Sequence, residues 1–268
     1  MELNGILTSG LTDTWEAAEG VAGLRTLFVN VAFIGHSATG YILVDTGLGN
    51  FAGSILQTSW DWFGKPPAAI VLTHGHFDHV GNLKELLEEW QGVPVYAHPL
   101  ELPYLTGSED YPPADPAVGG GLMTAVSPLY PHRGINLGGA VHPLPEDGSV
   151  PGAKGWTWVH TPGHSPGHIS LFRPADKVLI AGDAVITVKQ ESAFAVVTQH
   201  KELHGPPAYF TTDWVEAEKS VRKLALLDPQ IVLPGHGMPM AAPELSTQFA
   251  HLCKTFKELS VPSQGKFV

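Results

Sequence analysis

The stretch Ala69-Ile70-Val71-Leu72-Thr73-His74-Gly75-His76-Phe77-Asp78-His79 runs a short apolar strand into a loop that holds three imidazoles and a carboxylate within six residues. Ordinary polar turns rarely carry three histidines at this spacing, and a buried turn could not satisfy them all as core polar groups. Neutral imidazole nitrogen and carboxylate oxygen are the ligands that Zn²⁺, Fe²⁺ and Mn²⁺ accept. In an extended loop His74 and His76 point to one side, and Asp78 with His79 turns toward a second position. The spacing therefore reads as two adjacent metal sites at the end of a strand.

Working outward, residues 24–34 and 41–44 are rich in β-branched and aromatic residues and predict strands separated by a Gly/Ser/Thr turn. After the histidine loop, residues 82–90 place Leu83, Leu86, Leu87 and Trp90 at helical spacing, and residues 93–97 read as another strand. This alternation predicts α/β layering. Residues 103–153 are punctuated by Pro, Gly and Ser with a weak apolar period, so a loop-rich surface insertion is expected there, with one short helix near 118–127. Strand signals resume at 156–160, 168–172 and 178–181. Asp213 and Glu216 resemble a capping box opening a helix with Trp214, Ala217, Val221 and Leu224 on one face. Residues 231–233 read as a last strand, and Pro243 starts a final helix with Leu245, Phe249, Leu252 and Phe256 inward. Cys253 beside that stripe reads as a small buried or half-buried hydrophobe. No repeat or linker divides the chain, so one domain over residues 1–268 is expected.

Three more strand ends repeat the chemistry of the first. Thr161-Pro162-Gly163-His164, Ala181-Gly182-Asp183 and Pro234-Gly235-His236-Gly237 each put a ligand-type side chain beside Gly, where the backbone can approach closely. Singly each is a turn or a cap; four such segments in one chain point to one metal centre.

Composition removes other classes. Fifteen Lys+Arg against 26 Asp+Glu give a net charge of −11, which argues against binding to phosphate backbones or anionic lipid. With 43% hydrophobic and 15% charged residues the chain can bury a substantial core. A single cysteine excludes an internal disulfide and a cysteine-rich metal cluster. The opening MELNGILTSG lacks a basic stretch followed by an apolar run, so no signal peptide and a cytoplasmic location are expected. No apolar run approaches the roughly 18 residues of a membrane span.

The ordered set THGHFDH, TPGHSPGH, AGDA and PGHG resembles the metallo-β-lactamase-fold hydrolases across residues 24–240. The resemblance implies a four-layer αβ/βα sandwich with the site at one sheet edge. It implies that His74, His76 and His164 bind a first metal, that Asp78, His79 and His236 bind a second, and that Asp183 bridges them. Two divalent transition metals follow, zinc first, with Fe²⁺ or Mn²⁺ as alternatives. Asp45, in Asp45-Thr46-Gly47, is expected to accept hydrogen bonds from the metal-binding loop; the alternative is a plain turn carboxylate. His168 is expected to support the site rather than ligate. The remaining eight histidines fall to surface or loop positions, with His132, His200 and His204 in segments that could line a pocket.

The implied chemistry is attack by a metal-bridging hydroxide on a carbonyl or phosphoryl centre. Asp78 and Asp183 are the carboxylates expected to act in catalysis, and Asp183 could pass a proton to the leaving group. Departures narrow the substrate. Broad class B β-lactamases use a Cys ligand, and Cys253 lies far from every motif. Glyoxalase II appends a helical domain, whereas only residues 237–268 follow the last motif histidine, His236. The charge argues against the RNA-processing branch, and the length leaves no room for the flavin domain of diiron flavoproteins. A small-molecule hydrolase of a lactone or (thio)ester remains, nearest to acyl-homoserine-lactone lactonases. Those carry a Tyr where this chain has Ile186, and Tyr209 or Tyr104 could substitute. The alternatives are a mononuclear-iron persulfide dioxygenase and a non-catalytic metal-binding relative. The final helix and the Pro-rich 104–116 segment are the surfaces that could support a homodimer.

Overall fold

Alternation with a two-residue period decides the layers. In strands β2 (Val21–Thr26), β3 (Val29–His36) and β4 (Gly40–Val44), Leu24, Val31, Phe33, Tyr41 and Leu43 join one buried cluster. Val21, Ala32, Ile34, Ile42 and Val44 join another on the opposite face. Both faces of this sheet are therefore covered, which is why its strands read as nearly continuous apolar runs. The computed structural model describes residues 12–268; the expectation about a leader at the N-terminus lies outside the described residues.

The first sheet has seven strands in the order β1-β2-β3-β4-β5-β6-β7. Here β1 is Thr12–Ala18, β5 Ile70–Val71, β6 Val95–Ala97 and β7 Val141–Pro143. Pairing is antiparallel from β1 to β4 and parallel from β4 to β7. The second sheet runs β12-β11-β10-β9-β8, from Met240–Ala241, Ile231–Pro234, Val178–Gly182, Ile169–Arg173 and Thr157–His160 respectively.

Ile169, Leu171, Val178, Ile180 and Leu233 pack against the inner row of the first sheet, closing a sheet-on-sheet core. Helices α1 (Ala52–Phe63) and α2 (Leu83–Glu89) cover the outside of the first sheet through Ala52, Ile55, Leu83 and Leu86. Helices α3 (Trp214–Leu226) and α4 (Glu244–Leu259) cover the second through Trp214, Ala217, Val221, Leu224, Leu245, Phe249, Leu252 and Phe256. Four layers result, helix–sheet–sheet–helix, as expected. Each fully buried Leu, Ile or Phe contributes roughly 1.5–3 kcal/mol, so the strand ends that carry the site rest on a stiff base. Cys253 is half-buried against the α3–α4 cluster.

The elements differ from expectation in five places. The 24–34 run is two strands, reversed at Leu27, which adopts φ 64°. The turn residues Leu27 and Phe28 are themselves apolar, so hydrophobicity alone hides the reversal. Helix α1 was not anticipated because Ser59 serves its buried face alongside Ala52 and Ile55, returning its hydroxyl to the Ile55 carbonyl at 2.7 Å. The edge strand β1 and the short helix Ala193–Thr198 also lack a clear apolar period. The helix expected near 118–127 is a 3-10 turn Pro116–Val118 and a helix Leu122–Ala125, broken by Gly119, Gly120 and Gly121 at φ 73°, 97° and 156°.

Candidate metal centre

Strands of both sheets end at one edge, and each hands its next loop a polar side chain. Asp45 follows β4, His74 to His79 follow β5, His164 follows β8, Asp183 follows β10 and His236 follows β11. Backbone bonds lock these loops together: Gly235 N–H to Gly182 O at 2.8 Å, Thr46 N–H to His79 O at 2.7 Å, and Ile169 N–H to Thr73 O at 3.0 Å. His74, His76, Asp78, His79, His164, Asp183 and His236 are all buried.

Two groups form. His76 Nδ1 lies 3.0 Å from His74 Nε2 and 3.0 Å from His164 Nε2. His236 Nε2 lies 3.5 Å from Asp78 Oδ2, with His79 beside them. Asp183 sits between the groups. Its Oδ2 is 3.5 Å from His164 Nε2 and 3.1 Å from His236 Nε2, and its Oδ1 is 3.5 Å from His79 Nε2.

Hydrogen bonds on the outer side of four of the five rings decide what faces inward. Thr73 Oγ1 donates to Asp45 Oδ2, so it must accept from His74 Nδ1. Thr211 Oγ1 donates to the Pro207 carbonyl, so it must accept from His164 Nδ1. His79 Nδ1 donates to Asp45 Oδ2 at 2.8 Å, and His236 Nδ1 donates to the Phe28 carbonyl at 2.9 Å. With the outer nitrogen protonated, each of these four rings turns its other nitrogen toward the centre.

Converging lone pairs and carboxylates suit a cation. Ligands about 2.0–2.1 Å from a tetrahedral zinc stand roughly 3.3 Å apart, close to the separations here. His79 Nε2 and Asp183 Oδ1 are buried without a hydrogen-bond partner, and such orphaned atoms commonly mark an ion or water. A Cβ at Gly235 would fall 2.0 Å from Asp183 Oδ1, so only glycine leaves the carboxylate in place.

The charges agree. Burial, reinforced by neighbouring imidazoles, holds His74 and His164 well below the usual histidine range, and burial brings His76 down to about 3. Burial raises Asp78. For His79 and His236 burial works downward as the largest single effect, but Asp183 together with Asp45 at His79, and Asp183 together with Asp78 at His236, more than offsets it and raises both. Burial would lift Asp183, yet His236 and His79 hold it well below the carboxylate range. One half thus offers neutral nitrogen and the other offsets negative charge, which a divalent cation also does.

The other expectations fall into place around this centre. Asp45 accepts from Thr73 N–H and Thr73 Oγ1, each at 2.7 Å, as well as from His79. His168 Nε2 accepts from Asp183 N–H at 2.8 Å, which leaves it no lone pair for an ion. His132 bonds the Tyr111 carbonyl, His204 bridges Ile186 through the backbone, and His200 is exposed; none joins the centre.

Beside the centre stands an aromatic wall. His76 stacks on Phe210 at 4.7 Å, Phe77 stacks on Tyr130 at 5.7 Å, and Tyr130 lies 5.6 Å from Tyr209. Tyr104 stacks on Tyr111, whose edge meets His76. The insertion supplies Tyr104, Tyr111 and Tyr130 to this wall. Sequence reasoning missed Phe210, Thr211 and Glu101, a fully buried carboxylate among the metal-facing loops. Single residues without ligand spacing give no signal.

Comparison with known proteins agrees with this geometry. The family model described as the metallo-beta-lactamase superfamily matches residues 24–236. "Probable metallo-hydrolase YflN" of Bacillus subtilis is 48% identical over 252 residues, covering 91% of this chain and 94% of its own. Among solved structures, "TTHA1623 in a di-iron-bound form" is 27% identical with a TM-score of 0.53, covering 80% of this chain and 89% of its own. The subclass B3 metallo-beta-lactamase BJP-1 of Bradyrhizobium japonicum, 20% identical, shares the fold at a TM-score of 0.62 over 91% of this chain and 92% of its own. Among the described residues no helix is long and apolar enough to cross a membrane.

Proposed function

The chain belongs to the metallo-β-lactamase superfamily, and from that premise we propose that it is a two-metal hydrolase of a small lactone or (thio)ester. The observation that carries the reading is the inward turn of buried imidazole lone pairs onto Asp78 and Asp183, fixed by the outer hydrogen bonds of the rings. In this reading His74, His76 and His164 would hold one cation and Asp78, His79 and His236 the other, with Asp183 within reach of either group. The donor set is nitrogen and oxygen without thiolate, which suits zinc, iron or manganese, and the similar protein TTHA1623 has been solved in a di-iron-bound form. When bound, the cations supply Lewis acidity and activate water at neutral pH.

The chain's own groups do the rest. Asp45, Thr73, Thr211 and the Phe28 carbonyl keep the imidazoles in one tautomer and orientation. Asp183 lies between His164 and His236, and, kept ionised by its imidazole neighbours, would take up a proton only in passing and relay it to the leaving group. Phe77, Tyr130, Tyr209 and Phe210 offer an apolar face for the alkyl or acyl part of a substrate. That face favours lactones and (thio)esters over phosphodiesters, whose charge would meet aromatic carbon.

A panel of lactones, thioesters and phosphodiesters, assayed with metal-reconstituted protein, tests this. Turnover of long-chain lactones or thioesters above short-chain ones is expected. Hydrolysis confined to phosphodiesters, or oxygen consumption with glutathione persulfide and no hydrolysis, would overturn the substrate class.

A further inference from the structure

Glu101 ends the 3-10 turn Pro99–Glu101, just beyond β6, and its side chain is completely buried. No Lys or Arg among the described residues pairs with it. Its carboxylate instead accepts from donors on both loops of the three-histidine group. Oε1 takes the Gly167 N–H at 2.8 Å and the Ser165 hydroxyl at 2.7 Å. Oε2 takes the Gly75 N–H at 3.0 Å and the Tyr111 hydroxyl. Gly75 lies between His74 and His76, and Ser165 follows His164 directly. One anion thus ties together the two segments whose nitrogens converge at 3.0 Å.

The surrounding glycines fit that arrangement. A Cβ at Gly167 would come within 2.7 Å of Glu101 Cγ, and one at Gly75 within 2.6 Å of the Tyr111 hydroxyl. Charge-assisted bonds from backbone N–H groups are among the stronger and better-directed ones, so a buried carboxylate fixes loop positions as a neutral amide cannot. None of its partners belongs to the Asp78, His79 and His236 group, where Asp45 reaches His79 directly.

We propose that Glu101 is a positioning residue that holds the His74, His76 and His164 nitrogens in register for one of the two cations, and that it acts on that site selectively. The inference rests on the two-metal reading. It extends that reading by giving the three-histidine group a carboxylate support of its own, beside Asp45, which reaches His79 directly and His74 through Thr73.

Zinc titration of the metal-free protein against a chromophoric chelator tests it. Wild type is expected to bind two equivalents. Glu101→Gln, which turns an amide nitrogen toward N–H and O–H donors, weakens one equivalent tenfold or more and leaves the other within twofold. In a His236→Ala background the same substitution weakens the equivalent that remains; in a His76→Ala background it does not. Amide exchange at Gly75 and Gly167 in metal-free protein quickens with Glu101→Gln. Ser165→Ala, which removes one donor and spares the charge, gives a smaller loss at the same equivalent and carries the test if Glu101→Gln fails to fold. Two equivalents at wild-type affinity in the variants, or both weakened alike, would overturn the selective role alone. A wild-type chain that takes up no zinc would overturn the two-metal reading and the inference with it.

Discussion

Asp45 adopts φ 60°, a left-handed conformation that Asp and Asn tolerate better than most residues. There it accepts three hydrogen bonds, two from Thr73 and one from His79. Asp45→Asn keeps the backbone but sets an amide N–H against one of those donors. Metal affinity should fall about 10–100-fold, the usual loss when such a supporting partner is removed; chelator competition measures it, and an unchanged affinity would contradict the role. His98 provides a pH prediction away from the centre. Burial, then charge repulsion from the His160 imidazole 4.2 Å away, brings His98 down to about 4. The folded chain therefore binds this proton less readily than the unfolded chain. His98 contributes stability above pH 6.5, and the contribution fades as pH falls from 6.5 to 4. An NMR titration should show a midpoint near 4; one near 6.5 would contradict it. The histidines and aspartates of the centre were legible because ligand chemistry recurs beside Gly at successive strand ends. Glu101 was not, since its partners are two backbone amides and two hydroxyls brought in from distant loops.

Helix α3 shows how far local rules reach. Asp213 caps it, accepting from Glu216 N–H at 2.9 Å, as the sequence suggests. Glu216 does not complete the reciprocal half of a capping box but pairs with Lys219. Asp213→Ala should cost about 1 kcal/mol of stability, read by denaturant unfolding with an unchanged slope. No loss would show that the cap is idle. The same helix packs against the metal-facing loop: a Cβ at Gly163 would come within 2.3 Å of the Ala217 nitrogen. Strands with strong alternation and helices with a full apolar stripe were readable in sequence. Helix α1, whose buried face includes Ser59, and the reversal at Leu27 were not, because tertiary burial and a single left-handed residue decide them. In the insertion, Gly119 to Gly121 divide what an apolar count alone merges.

At the scale of the whole molecule, three buried layers of apolar contact hold a cluster of polar groups at one edge, in a chain of net charge −11. The four-layer arrangement followed from the family resemblance; periodicity alone reached only α/β layering. A bound cation stabilises the fold by mass action, by about 2.7 kcal/mol at a free concentration one hundred times its Kd. Chelation should therefore lower the thermal midpoint, and added metal should restore it; an unmoved midpoint would count against bound metal. The most direct measurement is the number of metal ions per chain, from elemental analysis of protein reconstituted with zinc, iron or manganese and freed of excess. Close to two per chain is predicted, falling toward one in His236→Ala. A chain that holds none, and gains none with any of the three metals, would contradict the two-metal centre.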